Sequence, residues 1–327
     1  MQVIIPLAGK GTRLRPHTHL VPKPLVKVAG RPVMDWVMDR LEGLDIEELI
    51  FITGHLKEQV ETYARRRYRY PSRFIEQTVQ DGTAGAVNLA RPHLRGPVLI
   101  VFVDTVFDAD LSLIHRTDAD GIIWAKEVED YQRFGVVVTD VDGYMTRIVE
   151  KPREPISKLA NIGLYHIRDT KALLDGIDHV LSTPAHKGEW YLTDAFQWMI
   201  DHGRRILTAE VEGWYDCGTR ETTIATNGIL LARGAARHPA FGPDVRLHEP
   251  VYIEDGVTIE GSEIGPNVSI EAGTQVIGSR LRDTIIGRDC EVSHVNLEQS
   301  MLGNSVRISG LTGSASLGDH CELEVGE

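Results

Sequence analysis

Apolar positions in the first two-thirds of the chain follow two alternating periods. Residues 2–7 (QVIIPL), 49–54 (LIFITG) and 98–104 (VLIVFVD) are short apolar runs closed by a glycine or an acid, the pattern of strands buried on both faces. Between them, residues 33–44 (VMDWVMDRLEGL) align Val33, Trp36 or Val37, Leu41 and Leu44 on one helical stripe. Residues 56–68 (LKEQVETYARRRY) do the same with Leu56, Val60 and Tyr63 or Ala64. Strand alternating with helix predicts an α/β domain over residues 1–235, a Rossmann-like open and mostly parallel sheet with helices on both faces. Ligands of such sheets bind beyond the carboxyl ends of the strands. GKGTR (9–13) and Asp104 stand at such ends.

From Leu247 the helical period disappears. IGPNVSI (264–270), IGRDCEV (286–292), LGNSVRI (302–308) and LGDHCEL (317–323) repeat one phrase, aliphatic–Gly–x–x–(Val/Cys)–x–aliphatic, and apolar positions recur in steps near six. Such units bury an apolar face only by stacking. A hexapeptide-type parallel β-helix over 247–327 is expected, with a small antiparallel sandwich as the alternative. Gly234, His238-Pro239 and Gly242-Pro243 mark a linker over 236–246.

Composition narrows the function classes. The 327 residues are 42% apolar and 25% charged, enough for a large core. The net charge of −12, from 47 acids against 35 bases, argues against a phosphate polymer as partner. No apolar run approaches the roughly 20 residues that span a bilayer, and no secretory signal is visible after Met1, so a cytoplasmic protein without a membrane partner is expected. Cys217, Cys290 and Cys321 are too far apart and unpatterned to suggest a disulfide framework or a zinc site.

The segment LAGKGTRLRP (7–16) follows the first strand. Its glycines let backbone N–H groups approach a phosphate closely. It is neither the dinucleotide fingerprint, since Leu14 stands where a third glycine belongs, nor a Walker loop, since no Gly-Lys-Ser/Thr closes it. Arg13 and Lys23, the latter between Pro22 and Pro24, supply cations that can clamp a polyphosphate.

GxGTRLxP followed by PKPL strongly resembles the sugar-1-phosphate nucleotidylyltransferases. QTVQDGTAGAV (77–87), VDT (103–105), FGVVV (134–138), EKP (150–152), NIGLY (161–165), GEWYLTD (188–194) and WYDCGT (214–219) continue the resemblance in order. The tail resembles the long-form members, such as glucose-1-phosphate thymidylyltransferases, that end in a left-handed β-helix. The resemblance implies that a sugar-1-phosphate oxygen attacks the α-phosphorus of a nucleoside triphosphate and releases pyrophosphate. It assigns nucleotide binding to Leu7, Ala8, Gly9, Gly11, Thr12, Arg13, Gln77, Gly82 and Thr83, and catalysis to Arg13, Lys23 and Lys151. It assigns the sugar phosphate to Gly135, Glu150, Lys151 and Asn161, and Mg²⁺ to Asp104 and Asp216. The nucleophile is already an anion, so positioning and charge neutralisation suffice and no Ser/His or Cys/His pair is needed.

The chain departs from the family at Ala8, where a glycine is common, and at Val103, where the strand end usually reads Gly-Asp. Gln77 suits a pyrimidine, because an amide can meet both a carbonyl and an N–H. GTAGA (82–86) is also common in mannose-1-phosphate guanylyltransferases, so dTTP or UTP with glucose-1-phosphate leads and GTP with mannose-1-phosphate follows. A bifunctional enzyme using His294 or His320 for acyl transfer in the tail is a further alternative, and a non-catalytic sugar-nucleotide sensor another. Solenoid ends need covering, so a homo-oligomer is expected.

Other features have plainer readings. RRRYRY (65–70) is expected to be the solvated end of a helix or a subunit contact. His17 and His19 lack a third metal ligand, and Cys217 lacks a base. Asp194 is either a site residue or, with Thr193, a helix cap. Trp190 and Trp214 are core or pocket wall.

Overall fold

A computed structural model describes residues 1–326. The chain divides into two compact units, one made of residues 1–9 and 37–214, the other of residues 10–36 and the chain from 215 onward.

The first unit is built on nine strands: β1 (Gln2–Pro6), β2 (Glu48–Thr53), β3 (Ser72–Glu76), β4 (Val98–Val101), β5 (Gly121–Glu127), β6 (Gly135–Thr139), β7 (Met145–Glu150), β8 (Leu159–Ile167) and β9 (Ile206–Glu210). They run in the order β7-β6-β8-β4-β1-β2-β3, with β5 also on β8 and β9 on β5. The expected parallel sheet is present as β4-β1-β2-β3, where β1, β2 and β4 are buried throughout. Beyond it the sheet is mostly antiparallel, because β8 opposes both β4 and β5 and because β6 and β7 form a hairpin, while β9 runs parallel to β5. The hairpin's local cause is TDVDGY: Asp140 Oδ1 accepts from the N–H groups of Asp142 and Tyr144 at 2.9 Å, a side-chain turn that only antiparallel strands can use. The sheet is therefore mixed rather than mostly parallel.

Besides a single turn at Leu113–Arg116, the α-helices among the described residues are α1 (Val33–Asp39), α2 (Lys57–Arg67), α3 (Thr83–Asn88), α4 (Thr170–Leu181), α5 (Leu192–Asp201) and α6 (Arg220–Leu230). The 33–44 stripe is helical only to Asp39, after which Arg40, Leu41 and Glu42 close i→i−3 turns. Leu173, Ile177 and Val180 of α4 and Leu192, Phe196 and Met199 of α5 bury a common face on Ile100, Val137 and Tyr165 of the sheet. Arg65, Arg66 and Arg67 are exposed in the last turn of α2, where cations suit the helix dipole.

From Arg246 onward the second unit is a stack of short strands whose described neighbours are all parallel, which excludes the antiparallel sandwich for the tail. One column of partners runs Ile253, Ile270, Ile286, Leu302 and Leu317, so successive turns advance by 17, 16, 16 and 15 residues. Columns through Ile264, Leu281 and Leu297, and through Ile259, Val276, Val292 and Ile308, complete the buried core. Helix α6 joins this stack through Asn227, which is fully buried. Its Oδ1 accepts from Ala29 N–H at 2.8 Å and from Ser269 Oγ at 2.7 Å, and its Nδ2 donates to Asn267 O at 3.1 Å. No helix among the described residues is long and apolar enough to cross a membrane.

Candidate active site

In the first unit the sequence-predicted residues form two groups, a turn holding the expected base-side residues and a cluster holding the expected sugar-side ones. The turn follows β3. Gln77 is 7% exposed, and its Nε2 donates to Asp81 Oδ1 at 2.8 Å and to Gly82 O at 3.1 Å. Both partners are acceptors, which fixes the amide's orientation and leaves Oε1 as the atom it presents. The sequence reading gave Gln77 a donor as well as an acceptor for the base; in the structure its donors are engaged within the turn.

Gly82 has φ 105°, and a Cβ there would lie 2.4 Å from the Trp190 carbonyl. The contact is close because Trp190 N–H donates to Asp81 O at 2.8 Å and Trp190 O accepts from Ala84 N–H at 3.0 Å. Thr83 Oγ1 accepts from Leu192 N–H at 2.8 Å. Thr83 thus serves one of the orphan donors at the start of α5. Asp194 is not that helix's cap: the helix begins at Leu192, and Asp194 lies exposed in its first turn. Burial nonetheless raises the Asp194 pKa.

The sugar-side cluster is gathered by the β6–β7 register, which pairs Gly135 with Glu150, and by an irregularity in β8. There Gly163, with φ 78°, lets the strand leave β4 and pair Ala160 with Val136 of β6. Asn161 is thereby brought beside Gly135, donating from Nδ2 to Gly135 O at 2.8 Å and accepting at Oδ1 from the Tyr165 hydroxyl. A Cβ on Gly135 would lie 2.3 Å from Asn161 Nδ2 and 2.8 Å from Glu150 Oε2, so only glycine fits. Glu150 Oε2 accepts from Thr193 Oγ1 at 3.3 Å, and Oε1 lies 3.5 Å from Lys151 Nζ. Lys151 takes φ 44°, donates its N–H to Phe134 O at 2.9 Å, and extends its ammonium to 4.9 Å from the Tyr191 ring.

Burial raises the Glu150 pKa against the pull of Lys151 and Thr193. Tyr165 is raised further, first by burial and then by the charges of Glu150 and Asp104. Asp104 is therefore within electrostatic reach of this cluster. It stands in a turn three residues past the end of β4 rather than on the strand. Leu7 and Ala8 are buried just past β1, with Leu7 N–H donating to Ile52 O at 2.9 Å, whereas Gly9 is exposed.

In the second unit the residues expected to form the phosphate loop cluster around Gly11 and Gly218. Gly11 is left-handed at φ 61°, Thr18 Oγ1 donates to its carbonyl at 2.8 Å, and a Cβ on Gly11 would lie 3.1 Å from the Lys23 Cβ. Lys23 is thus folded back beside the glycine turn. Thr12 and Arg13 are exposed on a single 3₁₀ turn, Thr12–Leu14. Arg13 and Asp216 converge on Gly218: a Cβ there would lie 3.2 Å from an Arg13 terminal nitrogen and 2.8 Å from Asp216 Oδ1. Asp216 is held by the start of α6, its Oδ1 accepting from Gly218 N–H at 2.9 Å and its carbonyl from Thr226 Oγ1 at 2.8 Å. Cys217 is buried between them. Asp104 and Asp216 each carry a carboxylate, the kind of donor that Mg²⁺ takes once or twice before completing its shell with phosphate oxygens and water. Among the described residues no group of three or more His, Cys, Asp or Glu could hold a metal ion by itself.

The family model described as Nucleotidyl transferase matches residues 2–232. The chain belongs to the nucleotidyl transferase family. Among curated relatives, the bifunctional protein GlmU of Methanococcus aeolicus is 31% identical, covering 97% of this chain and 81% of its own. The glucose-1-phosphate thymidylyltransferase of Streptomyces antibioticus is 27% identical over 99% of each chain. A crystal structure of UDP-glucose pyrophosphorylase with UDP-glucose matches 71% of this chain and 98% of that one, at a TM-score of 0.64 and 21% identity, a likeness of fold. As a nucleotidyl transferase, the chain carries its candidate chemistry on the elements just described. Sequence reasoning did not name Tyr165 or Tyr191 and took Thr193 only as part of a helix cap; in the structure Thr193, Tyr165 and Tyr191 support Glu150, Asn161 and Lys151. Two of them lay inside the quoted phrase GEWYLTD and one inside NIGLY, so the signal was present but carried no role in the site.

Proposed function

We propose that this nucleotidyl transferase moves a nucleotidyl group from a nucleoside triphosphate to a sugar-1-phosphate, releasing pyrophosphate. The observation that supports it best is the sugar-side cluster: a half-buried carboxylate, an amide and an exposed lysine within one network. Sugar hydroxyls are donors, which Glu150 accepts, and the sugar's phosphate is an anion, which Lys151 attracts. Arg13 and Lys23 hold the triphosphate, with Leu7, Ala8, Gly9, Gly11 and Thr12 shaping the turn around it. Gln77, Gly82 and Thr83 form the base side. Asp104 and Asp216 would hold Mg²⁺, which when bound neutralises phosphate charge. Arg13 and Lys151 orient attacking oxygen and phosphorus, so no protein base is required.

Glucose-1-phosphate with dTTP or UTP is the favoured pair. Gln77 Oε1 can accept from the ring N–H of uracil or thymine, and a thymidylyltransferase relative matches the whole chain. The same acceptor can meet a guanine N–H, which keeps mannose-1-phosphate with GTP as the second reading. The tail is read as a left-handed β-helix over 247–327 behind a linker at 236–246, the catalytic domain being 1–235. His294 and His320 occupy left-handed backbone positions in that stack, at φ 53° and 61°. Release of thiol from acetyl-CoA in the presence of glucosamine-1-phosphate would assign them an acyl-transfer duty.

The decisive experiment is pyrophosphate release across dTTP, UTP, GTP, CTP and ATP against glucose-1-, mannose-1- and N-acetylglucosamine-1-phosphate. One active cell, with or without its thymine/uracil neighbour, is expected; a dark grid with Mg²⁺ present would overturn the reading. Asp104→Ala should abolish turnover with the fold intact, and wild-type rates would refute its metal role.

A further inference from the structure

The second unit contains a buried histidine that the proposed reaction does not use. His17 is 5% exposed, and its Nε2 lies 3.0 Å from Ser316 Oγ on the last turn of the stack. A hydroxyl on an imidazole suggests a nucleophile with its base. That reading fails here, because among the described residues nothing hydrogen-bonds the buried His17 Nδ1, so no carboxylate holds the ring as a triad would.

The surroundings give a different role. One residue earlier, Pro16 packs on Gly318 so closely that a Cβ on that glycine would lie 3.0 Å from the Pro16 Cβ. One residue later, Thr18 donates to the carbonyl of Gly11 at 2.8 Å. Between these, His17 N–H donates to Leu14 O at 3.1 Å and Leu14 N–H to Gly11 O at 3.0 Å. The last turn of the stack is thus joined by a short run of contacts to the turn that carries Gly11 and Arg13.

We propose that Ser316 and Gly318 are positioning residues for triphosphate binding, acting through His17 and Pro16 on the phosphate loop. The inference rests on the proposed nucleotidyl transfer for the identity of the ligand. It extends that reading by giving the repeat tail a part in nucleotide affinity.

The test uses the full chain and separates the two substrates. Ser316→Val, Gly318→Ala and His17→Phe should each raise KM for the triphosphate about three- to tenfold, the factor one neutral hydrogen bond commonly carries. KM for the sugar phosphate should stay within about twofold on the same scale. His17→Gln, whose amide can still meet Ser316, should recover most of the loss that His17→Phe causes. Leu323→Ala, which thins the core of the same last turn away from the loop, controls for general loosening. It should lower the melting temperature without splitting the two KM values. An unchanged triphosphate KM in Ser316→Val and Gly318→Ala would overturn the inference, as would equal movement of both KM values. Calorimetric titration with the triphosphate alone reads the same affinities without turnover. If the wild type is inactive, the proposed reaction fails and this titration still decides the inference.

Discussion

Glu150 shows how a single residue can be costly to the fold and useful to the site. Its pKa is raised because burial disfavours the charge more than Lys151 and Thr193 favour it. The sign follows: stability associated with this group is complete below its ordinary range and is lost as pH rises through the raised value. Glu150→Gln should therefore gain melting temperature over the wild type at pH 8 and lose that advantage at pH 4. Its kcat/KM for the sugar phosphate should fall roughly 10- to 100-fold, the range of a charged hydrogen bond. A variant that is less stable at pH 8 would contradict this account. That Gly135, Glu150, Lys151 and Asn161 would gather was legible in the sequence here, whereas how their polar atoms divide was not. Gln77 was expected to face a base, but only the fold places its donors on Asp81 and Gly82, because Asp81 is four residues away along an irregular turn that no periodicity describes.

At the scale of elements, the buried parallel strands were legible because their apolar runs admit no other placement. The antiparallel half was not, since β6, β7 and β8 are half-buried strands whose direction is set by a hairpin turn and a local irregularity. Gly163 marks that irregularity. Gly163→Ala should cost about 1–3 kcal/mol, because its left-handed backbone is strained for alanine and a Cβ would lie 2.9 Å from Phe102. Denaturant unfolding measures the loss, and Asn161 should move with it, so sugar-phosphate KM should rise too. The start of α5 shows a further limit of local reading. Thr193-Asp194 looks like a capping signal, yet the helix opens two residues earlier and takes Thr83 Oγ1, 109 residues away in sequence, as the acceptor for its Leu192 N–H. Thr83→Val should destabilise by about 1 kcal/mol, the usual size of a lost cap, while Thr83→Ser should be nearly neutral.

At the scale of the whole molecule, each unit buries a histidine that burial keeps neutral. His17 and His166 are both lowered to about 4 from an ordinary value of 6.5, with desolvation the leading cause. Between those values the unfolded chain binds protons that the folded chain does not, so stability is complete above pH 6.5 and falls as pH drops towards 4. Each histidine accounts for on the order of 3 kcal/mol across that window. His166→Phe should flatten the acid side of the melting profile without touching nucleotide affinity, and a profile as steep as the wild type's would refute the assignment. Light scattering that gives a clean monomer at micromolar concentration would refute the expected homo-oligomer. The change of sequence pattern near residue 236 and the division into compact units after residue 214 differ, because pattern records what an element is made of and packing records what it touches. Helix α6 and residues 10–36 read as α/β sequence, yet they hold to the stack through Asn227, Lys27 on Glu271, and His17. Ser269, Ile285, Met301 and Ser316 are successive partners in one column. The Asn227 and His17 attachments are therefore three strand spacings apart, roughly 14 Å. The stack is in effect a ruler laid along residues 17–29. Duplicating or deleting one turn between those marks would shift them by about 5 Å and release one attachment, so inheritance can add turns beyond the marks but not between them.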